Sequence, residues 1–298
     1  KDTGSVTPQL ERVLADSGPG VQYAACESLL RCVELPPSES LLTALTPLLA
    51  SPDRRLAWAA RRLLERLPTE SWEPSLLAHS DQRVQLQAGL ALMTVAPTRE
   101  HGVAVVAMTR KMLAGFVSDR NFVDLLRLMQ VSLHRCDIPA SDLSELSHEL
   151  AAEFPVAEPI LNRELFRLLA YLNADEVVPT AIGLLQSDSE LAERMHIAMY
   201  LRFFKHQWTS AERHAVVKFF EETQPAAAGS SVPLYVMNAT RDLCRDLPME
   251  EARIFVSEGA KWPNAALISL FHYPEQLSAS DLQTLRKLDQ TIDQAGFD

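Results

Sequence analysis

The side chains with the greatest capacity for chemistry are histidines and methionines within residues 195–214. They are Met195, His196, Met199, His206 and His214. A methionine and a histidine can together ligate haem iron, but the sequence contains no CxxCH motif for covalent haem attachment. The two methionines recur at helical spacing with Phe203 and Phe204, so we predict that these four side chains pack in a core.

The motifs of familiar catalysts are absent from the sequence. It contains neither GxxxxGK[ST] nor GxGxxG, which bind phosphates, and no GxSxG nucleophile elbow. His148-Glu149 lacks the second histidine of HExxH, which excludes a zincin-type metal site. Glu250-Glu251 follows Pro248 at a predicted helix start, where negative charge stabilises the helix dipole. We predict no catalytic, cofactor-binding or metal-binding residues, although a site assembled from distant helices would leave no such motif.

The cysteines indicate neither a metal site nor a disulfide framework. They are Cys26, Cys32, Cys136 and Cys244, without CxxC or paired ligand spacing. We predict that they are buried free thiols, since free cysteine behaves as a small apolar residue.

Charge and hydropathy restrict the partners of this chain. The net charge of −11 comes from 39 acidic and 28 basic residues, and it disfavours nucleic acid and anionic membrane as partners. No apolar run reaches the roughly 18–20 residues that span a bilayer, so we expect no membrane insertion of this segment. The first residues, KDTGSVTPQL, lack the charged region and apolar core of a signal peptide. Such an abrupt start is also typical of an excised fragment.

Helix is the predicted state of nearly the whole chain, because glycine is scarce and apolar residues recur at helical spacing. The clearest stripe is Leu56, Ala59, Ala60, Leu63, Leu64 and Leu67. Helices are predicted at 7–16, 20–34, 38–50, 53–67, 82–95, 98–117, 120–135, 141–153, 158–172, 175–186, 189–205, 209–223, 233–246, 249–257, 262–272 and 279–294. No run of alternating β-branched residues suggests a strand, so the predicted class is all-α.

One two-helix motif recurs along the chain. LLASPDRRLAWAARRLLERLP at 48–68 has looser copies at 13–33, 76–95 and 184–204. Each copy ends its first helix near a leucine: Leu14, Leu49, Leu77 or Leu185. A single helix pair cannot bury its own apolar face, so such pairs must stack. The predicted fold is a HEAT-like α-solenoid of stacked antiparallel helix pairs, with an irregular helical bundle as the alternative.

An acidic residue lies in the turn of each two-helix motif. These residues are Asp16, Asp53, Asp81 and Asp188. An aspartate there can accept hydrogen bonds from the free N–H groups at the start of the next helix, so we predict that each caps one. A full capping box is predicted at Thr209 and Glu212, preceded by an apolar contact of Trp208.

Prolines suggest two consecutive arrays. Prolines in 132–142 and 153–159 indicate a bend, so we predict an N-terminal HEAT-like array at 1–138 and a continuous, degenerate array at 139–298. The segment 224–233 clusters Pro, Gly and Ser and is predicted to be a loop.

The candidate interaction surface combines aromatic and basic residues of the first array. It comprises Tyr23, Trp58, Arg61, Arg62 and Trp72. Each aromatic residue has the alternative of a core position. The arginines cluster with Arg54 and Arg55, and positions 54, 58, 61, 62 and 65 share one helix side, so Trp58 and Glu65 interrupt the cluster. This indicates a solvated or ion-paired helix face in preference to a phosphate-binding patch.

The region 198–243 contains a distinctive set of residues, namely Trp208, Thr209, Phe219, Phe220, Gly229, Ser230, Asn238, Arg241 and Asp242. With these residues it resembles the helical middle region of planctomycete-type membrane-bound dehydrogenases and haem-binding proteins. The resemblance implies a parent protein with a β-propeller dehydrogenase domain before this region and a c-type cytochrome domain after it. It implies no catalytic or haem-binding residue in this chain, which lacks the functional motifs of both domains.

The resulting prediction is a non-catalytic scaffold or spacer within a larger extracytoplasmic, periplasmic oxidoreductase. Haem c would belong to the parent protein, and the partners would be neighbouring domains or a bound protein. One alternative is a stand-alone, cytoplasmic HEAT-type adaptor that binds a protein. Minor alternatives are a DNA-binding HEAT-like glycosylase, which the negative charge disfavours, and a HEAT-type lyase acting on bilin pigments.

Overall fold

The computed structural model describes residues 7–16, 18–33, 35, 37–223 and 232–295. Within these residues the chain forms seventeen α-helices and four short 3₁₀ helices, with no β-strand. The predicted all-α class is confirmed. The predicted loop at 224–233 lies outside the described residues up to residue 231, and its last two residues begin a helix.

The first nine helices are α1 Thr7–Asp16, α2 Pro19–Leu30, α3 Glu39–Leu49, α4 Arg54–Leu64, α5 Glu73–Leu77, α6 Gln82–Val95, α7 Arg99–Leu113, α8 Asp119–Arg135 and α9 Ser144–Ala151. The others are α10 Pro159–Leu172, α11 Val178–Leu185, α12 Leu191–Leu201, α13 Ser210–Thr223, α14 Val232–Leu243, α15 Met249–Ser257, α16 Pro263–Ser269 and α17 Ala279–Ala295. The 3₁₀ helices are Thr69–Ser71, Ala140–Leu143, Asp175–Val177 and Leu270–His272. The sequence missed α5, because five residues are too few to show a helical period.

The chain divides into two compact units, Lys1–Leu146 and Ser147–Asp298. In unit 1, consecutive helices pack as pairs, namely α1 with α2, α3 with α4, α5 with α6, and α7 with α8. The second helices of these pairs also pack in order, α2 on α4, α4 on α6 and α6 on α8. Leu56 and Leu63 of α4 are fully buried between these neighbours. Burying such a leucine stabilises the fold by about 1.5–3 kcal/mol.

Unit 2 also pairs helices along the chain. Here α10 packs on α12, α11 on α12 and α13, α14 on α13 and α16, and α15 on α16 and α17. The predicted capping box of α13 is confirmed: Thr209 N donates to Glu212 Oε2 at 2.8 Å, and Glu212 N donates to Thr209 Oγ1 at 3.3 Å. Glu221 of α13 accepts hydrogen bonds from Asn264 N and Ala265 N, which ties the start of α16 to α13.

Two of the four predicted aspartate caps are confirmed. Asp53 accepts a hydrogen bond from Arg55 N at 2.9 Å and starts α4. Asp81 accepts one from Arg83 N at 2.7 Å and starts α6. Each aspartate thereby binds one of the N–H groups that have no partner within the helix.

The other two predicted caps are wrong. Asp16 is the last residue of α1, and α2 begins after Gly18, whose missing side chain cannot cap. Asp188 lies two residues before Glu190, the N-cap of α12. At Asp16 the first helix includes the aspartate itself, and at Asp188 the turn is one residue longer than at Asp53, so neither aspartate is the residue directly before the next helix.

A hydrogen bond that the sequence did not reveal recurs in three of the four copies of the two-helix motif. Gln22 Nε2 donates to Leu14 O at 2.9 Å, Gln85 Nε2 to Leu77 O at 2.8 Å, and Arg194 Nη1 to Leu185 O at 3.4 Å. In each case the donor is the fourth residue of the second helix, and the acceptor is the leucine near the end of the first helix at which the copies of the motif align. The fourth residue of α4 is Ala57, whose methyl group cannot donate.

Candidate functional site

The α4 helix holds three of the five predicted surface residues. Its inner stripe is buried, and its outer side carries Trp58, which is 46% exposed, and the exposed Arg62. Arg66 follows just after the helix end, about two turns beyond Trp58. The spacing of four residues places these three side chains along one side of the helix.

Arg66 fixes the direction of α4 against α2. Its guanidinium donates to Leu30 O at 2.9 Å and Val33 O at 3.1 Å, carbonyls at and just beyond the end of α2. The ends of the two packed helices therefore lie together, and the helices run in the same direction. Tyr23 and Trp58 each lie about two turns before these ends, so they occupy equivalent levels on neighbouring helices. Tyr23 is half-buried.

The two predicted surface arginines of α4, Arg61 and Arg62, are ion-paired, as the sequence predicted. Arg61 Nε lies 3.3 Å from Glu65 Oε1, and Arg62 also pairs with the Glu65 carboxylate. Arg61 Nη1 donates to Gln87 Oε1 of α6 at 3.3 Å, so it faces α6. Burial lowers the pKa of Arg61 and raises the pKa of Glu65, while the attraction within the pair opposes both shifts.

Trp72 does not belong to this surface. Its side chain is fully buried, and its indole Nε1 donates to Leu67 O at 3.4 Å. The structure therefore places Trp58 and Arg62 on the outer side of α4 and Tyr23 at the same level on α2, turns Arg61 toward the next helix, and assigns Trp72 to the core. We call Tyr23, Trp58, Arg62 and Arg66 the α2–α4 face.

The histidines within residues 195–214 make separate local contacts. His196 Nε2 donates to Arg163 O at 3.2 Å, and its ring stacks on Tyr200. His206 contacts Glu212 in the capping box, and the His214 ring stacks on Phe255. Burial, then the charge of Arg167, lowers the pKa of His196. Among the described residues, no three His, Cys, Asp or Glu side chains are placed to hold a metal ion.

The predicted free thiols are confirmed, with one difference in burial. Cys26, Cys136 and Cys244 are buried, whereas Cys32 is half-buried. Burial raises the pKa of Cys26 and of Cys244 to about 12, so these thiols stay protonated and unreactive near neutral pH.

The prediction that Phe203 is a core residue is wrong. Phe204 is buried, but Phe203 is 52% exposed. Helix α12 ends at Leu201, and the chain turns there, so two adjacent phenylalanines cannot both face inward. On the neighbouring α10, Tyr171 is 46% exposed. The exposure of Phe203 could not be predicted from the sequence, because only the end of α12 decides which of the two adjacent rings points outward.

The chain matches no protein-family model and shows no significant similarity to a curated protein. None of the helices in the part of the chain described here is both long enough and apolar enough to cross a bilayer.

Proposed function

We propose that this chain is a non-catalytic helical-repeat scaffold, a HEAT-like stack of antiparallel helix pairs that holds or binds other proteins. The supporting observation is the recurring hydrogen bond from the fourth residue of a second helix to the repeat leucine of the first. It recurs at Leu14, Leu77 and Leu185 with the same element of each pair. A contact repeated at equivalent positions is expected of a repeated structural unit.

The packing order in unit 1 also supports stacking. Each second helix contacts the second helix of the next pair, so every pair covers the apolar face of its neighbour. In a stack, each unit contacts only its neighbours, and side chains on equivalent helices form continuous surfaces. Such surfaces bind partners in helical-repeat proteins.

The α2–α4 face is our candidate contact surface for a protein partner. Trp58 combines a large apolar ring with 46% exposure, and tryptophan, tyrosine and arginine dominate the binding energy of many interfaces. Arg66 holds α2 and α4 together at their ends, so the face is organised before any partner arrives. Preorganisation of this kind reduces the cost of binding.

The resemblance of residues 198–243 to membrane-bound dehydrogenases and haem-binding proteins indicates which domains would adjoin this chain. On that basis we propose that the chain is the helical spacer of an extracytoplasmic dehydrogenase that also carries a c-type cytochrome. Stacked helices would keep two such domains at a fixed separation better than a flexible linker. A stand-alone protein-binding adaptor is the second candidate, and the exposed Trp58 favours it.

The mass and haem content of the native polypeptide separate the two candidates. Antibodies against this chain would isolate the endogenous protein for intact-mass spectrometry and haem staining. A polypeptide far larger than 33.2 kDa with covalent haem would support the spacer. A haem-free polypeptide near that mass would reject the spacer and leave the adaptor.

A further inference from the structure

A cavity of about 660 Å³ lies in unit 2 at the turn between α11 and α12. Its wall includes Leu185 of α11, Leu191 and Arg194 of α12, and Lys218 and Phe219 of α13. Leu191 and Lys218 are exposed, so the cavity opens to solvent. Its volume is within the range of roughly 300–1,000 Å³ that is usual for ligand sites in proteins.

Arg194 occupies the repeat position whose side chain bonds to the preceding helix. Its Nη1 donates to Leu185 O at 3.4 Å, as Gln22 and Gln85 donate to the equivalent leucines in unit 1. The two glutamines make this bond without a charge and at shorter distances. The structural role of the position therefore does not require an arginine, and the charge of Arg194 can serve another contact.

The charge of Arg194 has no carboxylate partner among the described residues, whereas Arg202 in the same unit pairs with Asp242 at 3.3 Å. The half-buried Arg194 guanidinium lies 5.8 Å from the ring centre of Phe219. Its Nε is buried and has no hydrogen-bond partner in the described part of the chain. A partly buried cation without a counter-ion is costly. An anionic ligand would supply both the counter-ion and acceptors for the remaining N–H groups.

The lining of the cavity selects among anions. Lys218 is a second cation, but its Nζ lies 3.7 Å from Glu222 Oε1, so this pair adds no net charge. The carboxylate of Glu222 and the net charge of −11 both oppose a doubly charged phosphate. Leu191 and Phe219 supply apolar surface to the same wall. A single carboxylate on an apolar group fits these features, because a guanidinium binds a carboxylate through parallel N–H···O bonds.

We infer that this cavity binds a carboxylate joined to an apolar group. The carboxylate accepts hydrogen bonds from the Arg194 guanidinium, and the apolar group packs against Leu191 and Phe219, where it displaces water. Two sources offer this chemistry, namely the C-terminus of a polypeptide whose last residue is apolar and a free aliphatic acid. Both contain a carboxylate for the guanidinium and hydrocarbon for the apolar part of the wall.

The test measures dissociation constants for the intact chain by saturation-transfer difference NMR. The probes for a free acid are hexanoate, hexanol and hexyl phosphate. The probes for a polypeptide end are acetyl-Ala-Leu with a free carboxylate and the same dipeptide as its C-terminal amide. We expect each carboxylate to bind at least about tenfold more tightly than its uncharged counterpart, which cannot form charge-assisted hydrogen bonds with Arg194. The carboxylate that binds more tightly identifies the source.

Arg194→Gln is the most informative variant, because a glutamine at this position makes the repeat bond in unit 1, at Gln22 and at Gln85. It should weaken the binding of both carboxylates at least about tenfold, while its circular dichroism melt matches that of the wild type. Arg245→Gln is the matched control, because it removes the same charge from the same unit but Arg245 does not line the cavity. It should change the affinities less than about twofold, since salt screens a distant exposed charge.

Three outcomes would overturn the inference. They are no binding of either carboxylate at millimolar concentration, tighter binding of hexyl phosphate than of hexanoate, and equal effects of Arg194→Gln and Arg245→Gln. The inference does not depend on the spacer proposal, since the native mass does not affect this binding.

Discussion

The two units each place aromatic side chains on a pair of packed helices that run in the same direction, but they hold those side chains differently. On the α2–α4 face, Arg66 binds backbone carbonyls of the neighbouring helix, and Arg61 and Arg62 share Glu65. Helices α10 and α12 are joined near their starts by Arg163 and Glu193, and just beyond their ends by Asn173 and Lys205. Between them, the guanidinium groups of Arg167 and Arg202 lie over the rings of Tyr200 and Phe203. In unit 1 arginines fix the helices, whereas in unit 2 they also build the aromatic surface. Similar helix pairs can thus support different surfaces.

The largest expected effect separates core from surface among the tryptophans of unit 1. Trp72→Ala should lower the free energy of unfolding by about 3–5 kcal/mol, because it empties a fully buried site. Trp58→Ala should change it by less than about 0.5 kcal/mol, as expected for a surface substitution. Urea unfolding of both variants measures the difference. A loss above about 2 kcal/mol for Trp58→Ala would show that the α2–α4 face is part of the core.

Removing the arginine that joins α2 to α4 should have the next largest effect. Arg66→Ala should lower the free energy of unfolding by about 1–2 kcal/mol, because it breaks charge-assisted hydrogen bonds to Leu30 O and Val33 O. Arg62→Ala is the control and should cost less than about 0.5 kcal/mol, since Glu65 keeps Arg61 as a partner. Thermal and urea unfolding of both variants would show the difference. Equal losses would mean that Arg66 does not join the helices.

Unit 2 should be sensitive to acid at the start of α13. Burial alone would raise the pKa of Glu212, but hydrogen bonds from Thr209 and the contact with His206 lower it below its ordinary value of 4.5. A lowered folded-state pKa contributes stability above 4.5 that is lost as the pH falls through 4.5 toward the folded-state value. As the pH falls from 6 to below the folded-state pKa of Glu212, the free energy of unfolding of the wild type should decrease by about 0.5–1 kcal/mol more than that of Glu212→Gln.

The matched control for this acid sensitivity is Glu222→Gln, at the other end of α13. Its carboxylate is 66% exposed and pairs only at 3.7 Å with Lys218, so the variant should follow the wild type at every pH. Urea unfolding across the pH range provides the measurement. Identical pH profiles for wild type and Glu212→Gln would exclude a stabilising role for the charged capping box.

The smallest effect concerns the recurring hydrogen bond. Gln85→Ala should lower the free energy of unfolding by about 0.5–1 kcal/mol, because Leu77 O loses its side-chain donor but remains near solvent. Gln82→Ala, one turn earlier in the same helix, would remove the bond to Phe116 O instead. Hydrogen exchange should then become faster near the α5–α6 turn for Gln85→Ala and near Phe116 for Gln82→Ala. The same exchange pattern in both variants would argue against a specific role for the repeat bond.

The sequence predicts much of the helical structure, because helical periodicity and caps are local properties. The stripe from Leu56 to Leu67 and the caps at Asp53 and Asp81 appear as predicted. The repeat bond escaped prediction, because glutamine and arginine share the donor role at Gln22 and Arg194 and leave no common letter in the sequence. Equivalent geometry was preserved without equivalent residues.

The candidate surfaces were harder to predict for a physical reason. Trp58 lies within α4 and Trp72 directly before α5, and only the packing of neighbouring helices decides which one is buried. Phe203 and Phe204 are adjacent, and the end of α12 decides which ring faces outward. Alignment of Tyr23 with Trp58 depends on the bonds from Arg66 to α2, a contact between distant parts of the chain.

The most direct test of the proposed stack of helix pairs is hydrogen exchange with mass spectrometry on Leu63→Ala and the wild type. Leu63 is fully buried in α4, and the substitution should destabilise its surroundings by about 2–5 kcal/mol. In a stack, exchange should accelerate most in α3 and α4, less in α2 and α6, and least in α8, because each pair contacts only its neighbours. Uniform acceleration from α1 to α8 would contradict the stack and indicate a single cooperative helical bundle.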